Sequence, residues 1–176
     1  MDRTDSCVHL YCGNGKGKTT ASVGLALRAC GAGKRVLFTQ FFKNGSSSEI
    51  SALKSHEGVT VYVCENYHGL WHRMDEEQRA RAREDYTGLL RRVLSEAKKG
   101  YGLLVLDEAV SACKRGIIPE SELIDFLKNR PEGLEVVITG REPSDALMEQ
   151  ADYITEMKKL RHPFDRGIAA RRGIEF

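Results

Sequence analysis

No run of apolar residues in this chain approaches the length needed to cross a bilayer. Its opening, Met1-Asp2-Arg3-Thr4-Asp5-Ser6, is polar and unlike a signal peptide. The cysteines Cys7, Cys12, Cys30, Cys64 and Cys113 are scattered, with no Cys-x-x-Cys pair among them. That pattern argues against a zinc site and against a disulfide framework, and for reduced thiols. Charge imbalance is lacking too: 27 Lys and Arg against 25 Asp and Glu leave a formal net charge of +2, too little to argue for a nucleic-acid surface. The basic runs Arg79–Arg83 and Arg91-Arg92 alternate with acids on a helix and read as a solvated face. No repeat, low-complexity tract or linker divides the chain. The expectation is a cytoplasmic protein folded as one domain over residues 1–176, with neither a nucleic-acid nor a membrane partner. At 176 residues and 41% hydrophobic content it can bury a sizeable core.

What is present starts with Cys12-Gly13-Asn14-Gly15-Lys16-Gly17-Lys18-Thr19-Thr20. An apolar run (Val8, Leu10, Tyr11) precedes it and a helix-like run follows to Ala32. Strand, glycine turn and helix start are what a phosphate-binding loop needs: backbone N–H groups converge on an anion, and the helix dipole assists. Lys18 would reach the phosphates and the Thr19 hydroxyl would take a place on Mg²⁺. The usual pattern sets a glycine at the position of Cys12; here it falls one place later, at Gly13.

The chain then alternates. Strands are expected at 6–12, 35–42, 59–63, 102–108, 134–141 and 153–157. Helices are expected at 18–32 (stopped by Gly31 and Gly33), 49–55, 75–99 (N-capped by Asp75, stopped by Gly100), 109–115, 120–129 and 144–150. The fold class is α/β: a P-loop NTPase-like open, mostly parallel sheet with helices on both faces. Leu103-Leu104-Val105-Leu106-Asp107-Glu108 delivers a carboxylate to the C-terminal edge of that sheet, where Mg²⁺ can be held opposite the phosphate loop. Spacing leaves open whether Asp107 or Glu108 touches the metal. Between Glu65 and Met74 the periodicity breaks around Tyr67, His68, Leu70, Trp71 and His72. The tail from Lys158 has too many turn residues for an element and too many apolar ones for a free end. It is expected to pack across the domain or onto a partner.

Taken in order, Gly13–Thr20, Leu25–Ala29, Val105–Glu108, Asn129–Glu132, Val137–Arg141, Ala151–Met157 and His162–Ile168 resemble the P-loop class of ATP:corrinoid adenosyltransferases over practically the whole chain. The shifted glycine and the His-Pro-Phe-Asp tail carry the resemblance more specifically than the loop alone. It implies attack of a corrinoid Co(I) centre on the ribose 5′ carbon of ATP, with the whole triphosphate leaving. Gly13, Asn14, Gly15, Lys16, Gly17, Lys18, Thr19 and Thr20 would then bind MgATP, with Lys16, Lys18 and Glu108 catalytic and Thr19, Glu108 and Asp107 on the metal side. It also implies a reduced flavodoxin-type electron donor, a homodimer, and bulky side chains that displace the lower ligand of cobalt. For the last role Trp71 matches the family pattern, but the aromatic two residues before it is replaced by Gly69. Tyr67, Leu70 and Phe164 join Trp71 as candidates on the corrinoid side. An imidazole ligand from His68 or His72, and a plain core role for Trp71, stand as alternatives. Many members have a longer segment before the first strand, so a lid is expected from elsewhere or not at all. Arg141, Arg28, His162 and Asp165 are lesser candidates, and Cys12 reads as a small buried filler. The rival readings are a small nucleoside kinase and a recombinase-like ATP-binding module.

Overall fold

The computed structural model describes residues 6–43, 45, 47–66, 68, 69 and 71–175. Six strands form one sheet: β1 (Val8–Cys12), β2 (Val36–Gln40), β3 (Val59–Val63), β4 (Leu103–Asp107), β5 (Glu135–Thr139) and β6 (Tyr153–Glu156). Their order is β3-β2-β4-β5-β1-β6, and every neighbouring pair runs parallel. Parallel pairing requires crossovers that cover both faces, and β2 and β4 are accordingly buried at every position, apolar except for Thr39 and Gln40 closing β2 and Asp107 closing β4.

Alternation along β4 divides the core in two. Leu104 and Leu106 face a cluster with Leu90 and Val93 of α3 (Glu76–Glu96) and with Leu123 and Leu127 of α5 (Glu120–Lys128). Leu103 and Val105 face the other way, onto Ala26 of α1 (Lys18–Gly31) and onto Ile50 and Leu53 of α2 (Ser48–Lys54). Two short helices, α4 (Ala109–Lys114) and α6 (Asp145–Met148), complete the covering. Helix α3 begins where Asp75 accepts a hydrogen bond from the Gln78 amide while the Gln78 side chain accepts one from the Asp75 amide, a reciprocal capping box.

Element boundaries depart from the sequence expectation at a few places. Helix α1 ends at Gly31, as expected to within a residue, whereas α3 ends at Glu96, short of Gly100. Strand β2 stops at Gln40; Phe41 and Phe42 turn inward onto Tyr86 instead of extending it. The tail is not free. It crosses the phosphate loop, which sets the geometry described next.

Candidate functional site

The carboxyl ends of the strands meet at one edge, where a parallel sheet presents its ligands. Gln40 and Asp107 are register partners at the ends of β2 and β4, and Thr139 ends β5 beside them. All three are fully buried. The Asp107 carboxylate accepts hydrogen bonds from Thr139 Oγ1 (2.7 Å), Gln40 Nε2 (2.9 Å) and Thr19 Oγ1 (3.2 Å). Burial pushes the Asp107 carboxyl up from its ordinary pKa, while the Gln40 and Thr139 hydrogen bonds pull it back. Gln40 Oε1 is left buried without a hydrogen-bond partner.

Glu108 follows in a left-handed conformation, φ 61°. That strain turns its side chain out of the core and starts α4; the carboxylate accepts a hydrogen bond from Ser111 Oγ at 2.7 Å. It lines a cleft of about 770 Å³ shared with Lys18, Thr19, Glu49 and Arg141. Lys43 and Gln40 both reach Glu49, which the sequence did not single out. The only sequence signal for Gln40 and Glu49 is weak: a polar residue closing an apolar strand, and an acid in the first turn of the next helix.

The loop itself is held from within and from behind. Lys18 Nζ donates to the carbonyls of Gly13 (2.7 Å) and Gly15 (2.8 Å), curling the loop around its own ammonium. Burial lowers the Lys18 pKa below that of an ordinary lysine; Glu108 opposes the shift and Arg141 reinforces it. The Gly15 amide donates to the Met157 carbonyl at 2.6 Å. A Cβ on Gly13 or Gly15 would stand 2.6 Å from that carbonyl, so the backbone of the last strand's exit requires glycine there. Asn14 Oδ1 accepts from the Lys159 amide, and Lys16 Nζ donates to the Ile174 carbonyl. Gly17 and Thr20 also line the cleft, whose far wall includes His162, Ile174 and Glu175 of the tail. The expectation that the tail packs across the domain is therefore met. Cys12 is buried as expected, and burial raises its thiol pKa.

The profile of the family described as ATP:corrinoid adenosyltransferase BtuR/CobO/CobP matches residues 4–176. The chain belongs to the ATP:corrinoid adenosyltransferase family. A corrinoid adenosyltransferase of Pseudomonas aeruginosa is 32% identical over 170 residues, 95% of this chain and 82% of that protein. One from Escherichia coli is 33% identical over 168 residues, covering 95% and 84%. Corrinoid adenosyltransferase CobA of Salmonella typhimurium matches to the same extent, 33% over 168 residues. Among solved structures, the cytoplasmic domain of EssC aligns with a TM-score of 0.55 at 15% identity, over 95% of this chain and 34% of that one. That likeness concerns the fold alone. Family membership makes the chain a transferase, and none of the relatives named here is a kinase or a recombinase.

Against that family the candidate corrinoid residues divide. Tyr67 and Leu70 lie outside the described residues. Trp71 opens a 3₁₀ turn (Trp71–Arg73), half-buried against the core, with the guanidinium groups of Arg83 and Arg79 at 5.4 and 5.6 Å from its ring centre. It does not line the loop cleft. Phe164 lies 73% exposed in the tail's 3₁₀ turn (Pro163–Arg166), which His162 caps by accepting from the Phe164 amide. The loop from Asn14 to Thr20 and Glu108 thus line one cleft, Asp107 lies buried behind it against Thr19, and Trp71 and Phe164 are not among its lining residues.

Proposed function

We propose that this chain transfers the 5′-deoxyadenosyl group of MgATP to the Co(I) centre of a corrinoid and releases triphosphate. The observation that carries the proposal is the shifted glycine loop facing the Asp107–Glu108 pair inside a chain of this family. In the reaction the electron pair of Co(I) forms the bond to the ribose 5′ carbon, and the bond from that carbon to oxygen breaks. Its electrons leave with triphosphate, so the protein's task is to hold negative charge that grows on the leaving group. Loop amides between Gly13 and Thr19 other than that of Gly15, which donates to Met157, supply with Lys16 and Lys18 fixed positive potential there without a proton transfer. Release of Lys18 from the Gly13 and Gly15 carbonyls costs little when phosphate oxygens replace them.

The donor set suits Mg²⁺, which takes hard oxygen ligands and keeps several waters. Thr19 Oγ1 and the Asp107 carboxylate are already neighbours, Glu108 stands at the cleft wall, and Gln40 Oε1 is a buried acceptor without a donor. Thr19 and Glu108 would hold the ion, with Asp107 orienting its waters; bound there, Mg²⁺ would neutralise charge on the triphosphate. On the corrinoid side, Trp71 and Phe164 present apolar surface beyond the cleft, and Tyr67 and Leu70 are proposed to act with them. A reduced flavodoxin-type donor would supply the electron that generates Co(I). Residues 1–176 would act as one cytoplasmic domain, and no described helix is long and apolar enough to cross a membrane. A homodimer is supported by exposed Tyr153 and Ile154 on edge strand β6 and by exposed Leu160, Phe164 and Ile168 on the tail. Chromatography of the nucleotide product tests the reaction: equimolar triphosphate and adenosylated corrinoid support it, whereas ADP as the product refutes it.

A further inference from the structure

Outside the cleft at the glycine loop, one group of side chains among the described residues has the composition of a metal site. Cys64 follows β3 directly and is buried. His68 lies in the loop that leads to Trp71, and Asp85 projects from α3. The Cys64 sulfur, a His68 ring nitrogen and an Asp85 carboxylate oxygen all lie within 4.8 Å of one another. His68 Nε2 is 2.8 Å from Asp85 Oδ2, yet this buried nitrogen has no hydrogen-bond partner in line with its ring. Asn66 Nδ2 donates to the same Asp85 oxygen at 2.8 Å, and the Cys64 thiol donates to the Asn66 carbonyl at 3.4 Å. The His68 ring also packs 5.6 Å from the ring of Tyr86, which fixes its plane.

The geometry points to a zinc-class divalent ion bound by Cys64, His68 and Asp85, pinning the Trp71 loop to α3. One sulfur, one nitrogen and one oxygen donor is a borderline-soft set: it suits Zn²⁺ or Co²⁺ and disfavours Mg²⁺ and Ca²⁺. With metal–ligand bonds of about 2.0–2.3 Å, side-chain adjustments of about 1 Å would close these three donors on an ion. Three protein ligands leave a fourth, tetrahedral position for water. Asn66, by donating to the Asp85 carboxylate, already holds that ligand in place. Two ligands come from the segment after β3 and the third from a helix, so an ion would tie that segment to α3. The absence of cysteine pairs, which argued against zinc in the sequence, does not bear on a site with a single thiolate. This inference does not depend on adenosyl transfer.

Trp71 is the only tryptophan of the chain, three residues beyond His68, so its fluorescence reports the loop. Full-length protein, reduced and stripped with a chelator, is titrated with Zn²⁺ alone, and retained metal is counted after desalting. One Zn²⁺ per chain is expected, with a change in Trp71 emission at the same midpoint and none with Mg²⁺. Co²⁺ in the same site should give a sulfur-to-cobalt charge-transfer band that Cys64→Ser removes. His68→Gln and Asp85→Asn should each weaken Zn²⁺ binding about tenfold or more. If Cys64→Ser fails to fold, those two variants at partly exposed positions decide the matter. No retained zinc, or stoichiometric zinc that His68→Gln and Asp85→Asn both keep, would overturn the site. Zinc bound at the three residues with Trp71 emission unchanged would overturn the pinning of the loop.

Discussion

Lys18 is held between two carbonyls of its own loop and partly stripped of water, which lowers its pKa before any ligand arrives. The signs follow. A lysine with a depressed pKa penalises the folded state while it is charged, and that penalty is relieved as pH rises through its folded value towards the ordinary 10.5. Triphosphate favours the charged form, so ATP affinity should fall over the same alkaline range. Calorimetry in buffers of different ionisation enthalpy should show proton uptake on binding there. Lys18→Ala should lower kcat/KM by about 10²–10³, the usual cost of one electrostatic donor to a developing anion. Asp107 supplies the contrasting case. Its raised pKa means that stability is lost as pH climbs from the unfolded value to the folded one. Asp107→Asn can keep the pairing with Thr139, so it should melt no lower than the parent yet lose the extra thermal stability that Mg²⁺ adds to ATP binding. Gly15→Ala drives a methyl into the Met157 carbonyl and should cost about 1–3 kcal/mol together with nucleotide affinity, as read by denaturant melts and titration.

At the scale of elements, what could be read in advance follows from pattern strength. The apolar runs of β2 and β4 and the alternation of strand and helix are dense signals, and all six strands formed where they were expected. Asp75 was legible as a cap because an N-cap needs only a side-chain acceptor next to a periodic segment. Asp75→Ala should therefore destabilise the protein by about 1 kcal/mol in a urea melt, against about 2–5 kcal/mol for Leu104→Ala in the core between β4 and α3. The phosphate loop was legible because its chemistry is local. Gln40 was not, since what makes it notable is the adjacency of β2 and β4, and strand order is a long-range property; Glu49 became notable only through its bonds to Gln40 and Lys43. The cluster of Cys64, His68 and Asp85 was hidden for the same reason, its third member lying on a helix well downstream.

Across the whole molecule, the tail joins the two ends of the chain's logic. Lys159 and Ile174 grip Asn14 and Lys16, and Glu175 walls the cleft while its own carboxylate, bonded by Arg171, is held down to about 2. Sequence pattern showed that this segment had to pack but not where, because no periodic face marks the contact. Removing residues 158–176 should weaken MgATP binding by roughly tenfold through the loss of two loop tethers, measurable by titration, while the sheet still melts cooperatively. Adenosyl transfer itself is tested by anaerobic mixing of the protein with MgATP and chemically reduced cob(I)alamin, followed in the visible spectrum with triphosphate assayed in parallel. We expect a light-sensitive adenosylcobalamin product, one triphosphate per corrinoid, and near-complete loss of both with Lys18→Ala. ADP in place of triphosphate, or an unchanged spectrum with intact protein across several corrinoids, would contradict it.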